Sequence, residues 1–443
     1  MNYDYDILFL GGGLNYAGAI IAAKGGLKTA LVEKNMGHLG GTCLHNGCIP
    51  SKMYLQAAET IRASKNSHFE GSVTLNMEKL DEEKEQLLSM ATKGITKQCS
   101  NVDLIDGEGL LVKPHTVTVG ERTVTAAHIV IGTGALPFIP EGIIYDGKGV
   151  ISSDNVLNMR ALPDKIAIYG DGAIGLEMAC FFASAGVETE LIWRHSELLR
   201  NAHPMISANM KAQLEALGIV LKGEHSIASA KRTPERGVHI IFEDKSEHYV
   251  ETLLVATGRH AVVDAVQTQE IEIGRKGIKT DAHFETTLAQ HYAVGDCNGK
   301  IQLAHAARAE VLYVVRKLLD KVAETINLDH IVKFIHTLPS SYAQVGKIRS
   351  ALEKEGTKYS ESVVPLNGLP FARTHDASLG VMVVYADEND FIVGGELLLP
   401  NAEELISVVA MAIAGEMDVS LAKRTILAHP TFSESLEKSF LRL

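Results

Sequence analysis

Two stretches of this chain share one plan: an apolar strand, a glycine turn, an apolar helix and a second strand. In the first, Tyr5 to Leu10 runs into Gly11-Gly12-Gly13, Ala17 to Lys24 suits a helix, and Lys28 to Glu33 reads as the next strand. In the second, Ile166 to Tyr169 runs into Gly170-Asp171-Gly172-Ala173-Ile174-Gly175. Leu176 to Ala185 then suits a helix, and Glu190 to Trp193 the next strand. Each is a βαβ unit, which commits its strands to a parallel sheet. Each is also followed by a buried strand with a glycine exit, Ala127 to Ile131 into Gly132-Thr133-Gly134 and Leu253 to Thr257 into Gly258-Arg259. The duplication predicts an α/β chain with two Rossmann-like dinucleotide-binding domains. Glu78 to Thr92 reads as a polar helix. Toward the C-terminus, strands (Val381 to Tyr385, Phe391 to Val393) and a helix (Ala402 to Ala414) predict an α+β domain.

A glycine turn between strand and helix lets a pyrophosphate approach the backbone and aims the helix N-terminus at its charge. An acidic residue ending the second strand then accepts the ribose hydroxyls. The first unit supplies Gly11, Gly13 and, at the expected spacing, Glu33. Its third glycine is absent: Asn15-Tyr16 stands there, and Gly18 comes two residues late. The second unit has all three glycines, Gly170, Gly172 and Gly175, but no carboxylate at the strand end. Trp193 is followed by Arg194 and His195, with Arg200 beyond. Arginines there would suit a 2′-phosphate; the alternative is solvated surface charge.

The net charge is −12 with no long basic run, which argues against a nucleic-acid partner. No signal peptide is evident, since Asp4 and Asp6 stand where positive charge belongs, and Ile406 to Ala414 is too short to span a bilayer. Five cysteines are few for 443 residues, so a cytoplasmic protein with one special pair is expected, with no membrane association.

That pair is Cys43 and Cys48, in Gly40-Gly41-Thr42-Cys43-Leu44-His45-Asn46-Gly47-Cys48-Ile49-Pro50-Ser51-Lys52. A disulfide closing so short a loop would stabilise the fold by only about 2 kcal/mol, so a structural staple is a poor use for it. A zinc site would need a second half, and no other cysteines pair in sequence. Two buried core thiols are the bland alternative. A redox dithiol beside a nucleotide explains the placement best. One thiol would exchange with substrate and the other would face the electron donor, with Lys52 or a helix N-terminus stabilising a thiolate.

The motif closely resembles the active-site segment of the FAD-dependent pyridine nucleotide–disulfide oxidoreductases, and its Ile-Pro-Ser-Lys ending is most like dihydrolipoamide dehydrogenases. The resemblance covers essentially the whole chain. It implies FAD and NAD(P) as cofactors, with an FAD-binding domain at 1–147 and 263–328, an NAD(P)-binding domain at 148–262 and a C-terminal α+β dimerisation domain at 329–443. Pro163 and Pro339 lie near such boundaries. It implies that Cys43 is the interchange thiol and Cys48 the thiol facing the flavin. Glu177 would pair with Lys52 beside the flavin. Asp296, in Thr287 to Asp296, would hold the ribityl chain, Ala304 would open the next flavin-contacting segment, and Gly107-Glu108-Gly109 would contact the adenine end. Thr42, Gly134 and Gly258 join the implied cofactor contacts. In His429-Pro430-Thr431-Phe432-Ser433-Glu434, the resemblance makes His429 the general base and Glu434 its orienting partner. That pair would reach the cysteines of the other subunit, so a homodimer with a shared active site is implied. The implied substrate is a small disulfide, with a lipoylated protein as partner. No metal is expected.

Two departures stand out. The first turn lacks its third glycine. Trp193 also replaces the acid usual in dihydrolipoamide dehydrogenases, while Arg194, His195 and Arg200 resemble the NADPH segment of glutathione reductases. The arginines those reductases use to grip glutathione are not apparent, since Ile20 and Leu312 stand in their places. An NADPH-dependent reductase of another low-molecular-weight disulfide is therefore the alternative enzyme, and a non-catalytic flavin-binding protein a minor one.

Overall fold

The structure, a computed structural model, describes residues 2–320 and 325–443. The chain divides into two compact units, Met1–Ser51 with Glu78–Phe138 and Gly258–Leu328, and Lys52–Met77 with Ile139–Thr257 and Asp329–Leu443.

In the first unit, Asp103–Asp106, Thr29–Glu33, Tyr5–Leu10 and Arg122–Ile131 lie side by side and parallel, and His291–Ala293 adds a further parallel strand. Tyr5–Leu10 is almost wholly apolar because both its faces are covered. Ile7 and Phe9 point into one core, shared with Ala19 of the helix Asn15–Lys24 and Val311 of the helix Ala304–Leu318. Leu8 and Leu10 point into another, with Leu111 and Val117. Burying each such side chain contributes about 1.5–3 kcal/mol. Arg122–Ile131 is longer than the expected strand because its first half turns back, antiparallel, onto Thr116–Val119. The polar helix also runs longer than expected, from Met77 to Gln98.

The second unit contains a five-stranded parallel sheet in the order Val220–Lys222, Glu188–Ile192, Lys165–Tyr169, Thr252–Val255, Val150–Ile151. Its helix Ala173–Ser184 is buried along most of its length. The C-terminal part is a five-stranded antiparallel sheet, Lys333–Ile335, Ser341–Gly346, Ile392–Leu399, Val381–Asp387, Tyr359–Pro365. The helix Ala402–Ala414 packs Ile406, Val409 and Ile413 into its core, beside Leu436 and Phe440 of the helix Ser433–Arg442. The expected α/β class with a C-terminal α+β portion is observed. Among the described residues, no helix is long and apolar enough to cross a membrane.

Candidate functional site

The first glycine turn is built as its chemistry requires. Gly11 has φ +99°, and a Cβ there would lie 2.5 Å from the Gly132 carbonyl oxygen. Only glycine fits, and the contact joins the turn to the Gly132-Thr133-Gly134 exit. At Gly13 an added Cβ would meet nothing within 4 Å, so the turn has an open side. The helix Asn15–Lys24 begins there without a side-chain cap, leaving its first N–H groups to an outside acceptor. Glu33 ends its strand and accepts hydrogen bonds from the N–H groups of Gly12 (2.6 Å) and Asn35 (3.1 Å). Gly18, two residues past the place of the absent third glycine, permits close packing of the helix: a Cβ there would lie 2.5 Å from Val311 Cγ2 and 3.1 Å from Phe9 Cε1. Gly109 packs its bare Cα against Leu10 and Val32, the ends of the two central strands.

The cysteine motif rests directly on this turn. Gly41 has φ +64°, and its missing Cβ would lie 2.7 Å from Gly13 Cα. Thr42 and Cys43 follow in the short helix Gly41–His45, and Cys43 is half-buried. Cys48 is exposed and is the first residue of the helix Cys48–Ser64. His45 lies between the two cysteines in sequence, stacks on His38 at 4.7 Å, and sits 3.2 Å from the Leu39 carbonyl. Burial pushes its pKa below the ordinary histidine value. Burial raises Cys180 to about 12 and Cys297 to about 11, so neither competes as a nucleophile at neutral pH.

Asp296 lies in the turn Gly295–Asn298, where burial raises its carboxyl pKa and the Arg259 charge opposes the rise. The turn is held from behind by a residue that sequence reasoning missed. Glu310 is fully buried and accepts from the Gly295 N–H (2.7 Å) and from Asn298 Nδ2 (2.8 Å). Burial pushes its pKa up to about 7. A sequence signal did exist: Glu310 falls among Ala306, Val311 and Val314 on the core face of the helix that Ala304 opens. Gly134 and Gly258 flank a two-stranded ribbon, Ala135–Pro137 with Arg259–Ala261. The Gly134 carbonyl accepts from the Val262 N–H and the Gly258 carbonyl from the Phe138 N–H, each at 2.9 Å.

In the second unit, Gly170 has φ +128°, and its Cβ would lie 2.3 Å from the Ala256 carbonyl oxygen. A Cβ on Gly175 would lie 1.9 Å from the Gly170 carbonyl oxygen, while Gly172 faces open space and caps the helix Ala173–Ser184. Glu177 accepts from Lys52 Nζ at 2.7 Å and from the His336 N–H at 2.9 Å, so the expected ion pair is formed and anchored. Trp193 stands past the strand end with its ring buried against Gly223, where a Cβ would be 2.7 Å away. Its neighbours turn outward: Arg194 Nε lies 3.1 Å and Arg200 Nη1 3.3 Å from His195 Nε2. Near the C-terminus, His429 Nδ1 lies 3.1 Å from Glu434 Oε2, and the hydrogen bond from His429 holds the Glu434 carboxyl below its ordinary value. The His429–Pro430 bond is cis.

These residues fit a flavin dinucleotide in the first unit. The open side of Gly13, the uncapped helix start, the Glu33 carboxylate and the buried Asp296 are the donors and acceptors that its pyrophosphate and hydroxyl groups need. Residues 5–310 match the family model of pyridine nucleotide-disulphide oxidoreductases, and residues 331–440 match the dimerisation domain of that family, which supports a homodimer. Dihydrolipoyl dehydrogenase of Bacillus subtilis is 30% identical across 100% of this chain and 98% of its own. Mercuric reductase of Bacillus cereus is 29% identical across 99% of this chain and 72% of its own. The solved structure of the HOCl-induced flavoprotein disulfide reductase RclA from Escherichia coli shares the fold, with TM-score 0.88 over 99% of both chains at 24% identity. The chain belongs to the pyridine nucleotide–disulphide oxidoreductases and is an FAD- and NAD(P)-dependent flavoprotein.

Proposed function

We propose that the chain interconverts a small dithiol and its disulfide through Cys43 and Cys48, in the manner of a dihydrolipoamide dehydrogenase. The observation that carries this is the seating of Gly41 on Gly13, which sets the cysteine motif against the first glycine turn. In the oxidative direction, a substrate thiolate attacks Cys43 Sγ of the Cys43–Cys48 disulfide and displaces Cys48 as thiolate. The second substrate thiolate then attacks the substrate sulfur of the mixed disulfide, releasing the cyclic disulfide and Cys43. His429, oriented by Glu434, takes the substrate thiol proton. In the homodimer this pair serves the cysteines of the second subunit, a role that the 80% exposure of the His429 side chain supports. FAD, when bound, relays the electron pair between this dithiol and the nicotinamide. Lys52 and Glu177 position one another, and Glu33 and Asp296 bind the hydroxyl groups of the flavin dinucleotide. Ile20 is buried and Leu312 packs against the same core, so neither offers a cation to a charged disulfide. A lipoylated protein partner and a cytoplasmic location belong to the same proposal.

The cluster of Arg194, His195 and Arg200 favours a second reading of the nicotinamide end, NADPH-linked reduction of another low-molecular-weight disulfide. Steady-state rates for NADH and NADPH against lipoamide and glutathione disulfide, in both directions, separate the two. Turnover of lipoamide with either nucleotide is expected. Its absence alongside rapid NADPH-driven reduction of another disulfide would overturn the lipoamide assignment. His429→Ala should slow thiol–disulfide exchange at least tenfold while leaving flavin reduction by the nicotinamide intact; equal loss in both half-reactions contradicts its role.

A further inference from the structure

A cavity of about 530 Å³ in the first unit is lined by Arg259, His260, Arg275, Lys276, Lys300 and Gln302, with small and apolar residues between them. No carboxylate is among the described residues that line it, in a chain whose net charge is −12. Arg275 and Lys276 form the two-residue turn of a hairpin whose strands Ile273–Gly274 and Gly277–Ile278 pair Gly274 with Gly277. Both side chains are exposed, and neither has an ion pair or hydrogen bond among the described residues. The hairpin is fixed in place. A Cβ on Gly277 would lie 2.3 Å from the Cys297 carbonyl oxygen, and one on Gly299 would lie 2.4 Å from the Lys276 carbonyl oxygen. Two further cations of the lining are also anchored. Arg259 Nη2 donates to the Ala135 carbonyl at 2.5 Å, and Lys300 Nζ to the Asp281 carbonyl at 2.6 Å. Both cations therefore bond neutral oxygens at those contacts, while Asp296 faces Arg259 and Glu310 and Asp281 face Lys300. Arg275 and Lys276 face no such carboxylate among the described residues of the cavity lining.

Cations gathered in a concave wall repel one another and focus a positive field into the cavity. A flat basic patch would be a solvated face; a pre-formed recess of this volume is of the size that holds small ligands. We propose that this cavity binds a small, multiply charged phosphate-bearing anion. The guanidinium groups of Arg259 and Arg275 would supply paired donors, and Lys276 and Lys300 point charges. The site is distinct from the two glycine turns, since none of its lining residues belongs to them.

The test is calorimetric titration of pyrophosphate into the FAD-loaded enzyme with NAD+ and NADP+ both saturating. One site per chain is expected, weakened by high salt. The double variant Arg275→Glu/Lys276→Glu and, separately, Lys300→Glu should each raise Kd at least tenfold. Lys231→Glu, the same charge change on an exposed strand residue of the other unit, should not. The flavin absorbance of each variant reports that the fold is kept. Absence of binding, binding that the dinucleotides abolish, or equal weakening by Lys231→Glu would overturn the proposal. So would capture of poly-glutamate where pyrophosphate is not bound.

Discussion

The two glycine turns share a backbone and differ in electrostatics. At Gly11 and at Gly170 an added Cβ would strike the carbonyl where the neighbouring strand exits, Gly132 at 2.5 Å and Ala256 at 2.3 Å. Two residues on, Gly13 and Gly172 both face open space. The strand that follows then ends in opposite ways. The first ends in Glu33, whose carboxylate folds back onto the Gly12 N–H, and carboxylates recur at Asp296 and Glu310. The second ends beside a buried Trp193, and Arg194 and Arg200 converge on His195. Under the proposed function, the shared backbone would meet what two dinucleotides have in common, a pyrophosphate, and the strand end what distinguishes them.

The largest expected effect tests the shared part. Gly170→Ala places a side chain at a left-handed φ against a carbonyl, a strain of about 1–3 kcal/mol before the overlap is counted. Rapid mixing with NAD(P)H should show flavin reduction slowed on the order of 100-fold, whereas Gly172→Ala should cost less than about tenfold. Equal damage from the two would break the equivalence of the turns. Glu33→Ala comes next. Loss of a charged acceptor should weaken FAD binding about tenfold to 100-fold, read by fluorescence titration of the apoprotein, and unchanged affinity would remove Glu33 from the site. Arg194→Glu should lower the NADPH-to-NADH ratio of kcat/KM by about tenfold, and a constant ratio would reduce the arginines to surface charge.

The smallest effect concerns the acidic side alone. The Glu310 pKa is raised from 4.5 to about 7. Its contribution to stability is therefore complete below pH 4.5 and is lost as pH rises through about 7. Relative to the natural protein, Glu310→Gln should gain a few degrees in Tm between those limits. A Tm difference independent of pH would show that Glu310 carries no such penalty.

Much of this was legible locally. The helix Ala402–Ala414 begins and ends where its apolar spacing and flanking residues place it. The glycine turns were visible because a left-handed φ and a close carbonyl leave no other residue type. Strand lengths were less visible: Arg122–Ile131 and Ile392–Leu399 extend beyond their expected spans because antiparallel partners satisfy the added backbone groups. The absent third glycine looked like a defect. The close packing of the helix Asn15–Lys24 rests instead on Gly18, whose contact with Val311 lies nearly three hundred residues away in sequence.

Residue type and short-range spacing were enough to specify two glycine turns, the carboxylate after one of them, and a cysteine pair that lies between them in sequence. These depend on backbone torsion and on chemistry confined to a few neighbouring residues. Tertiary structure alone decided the rest. It seated Gly41 on Gly13, turned Trp193 inward while Arg194 faces out, set Glu310 behind the Asp296 turn, and gathered Arg259, Arg275, Lys276 and Lys300 around one cavity. In each of these, packing and burial, rather than local preference, determine which groups meet and what charge they carry.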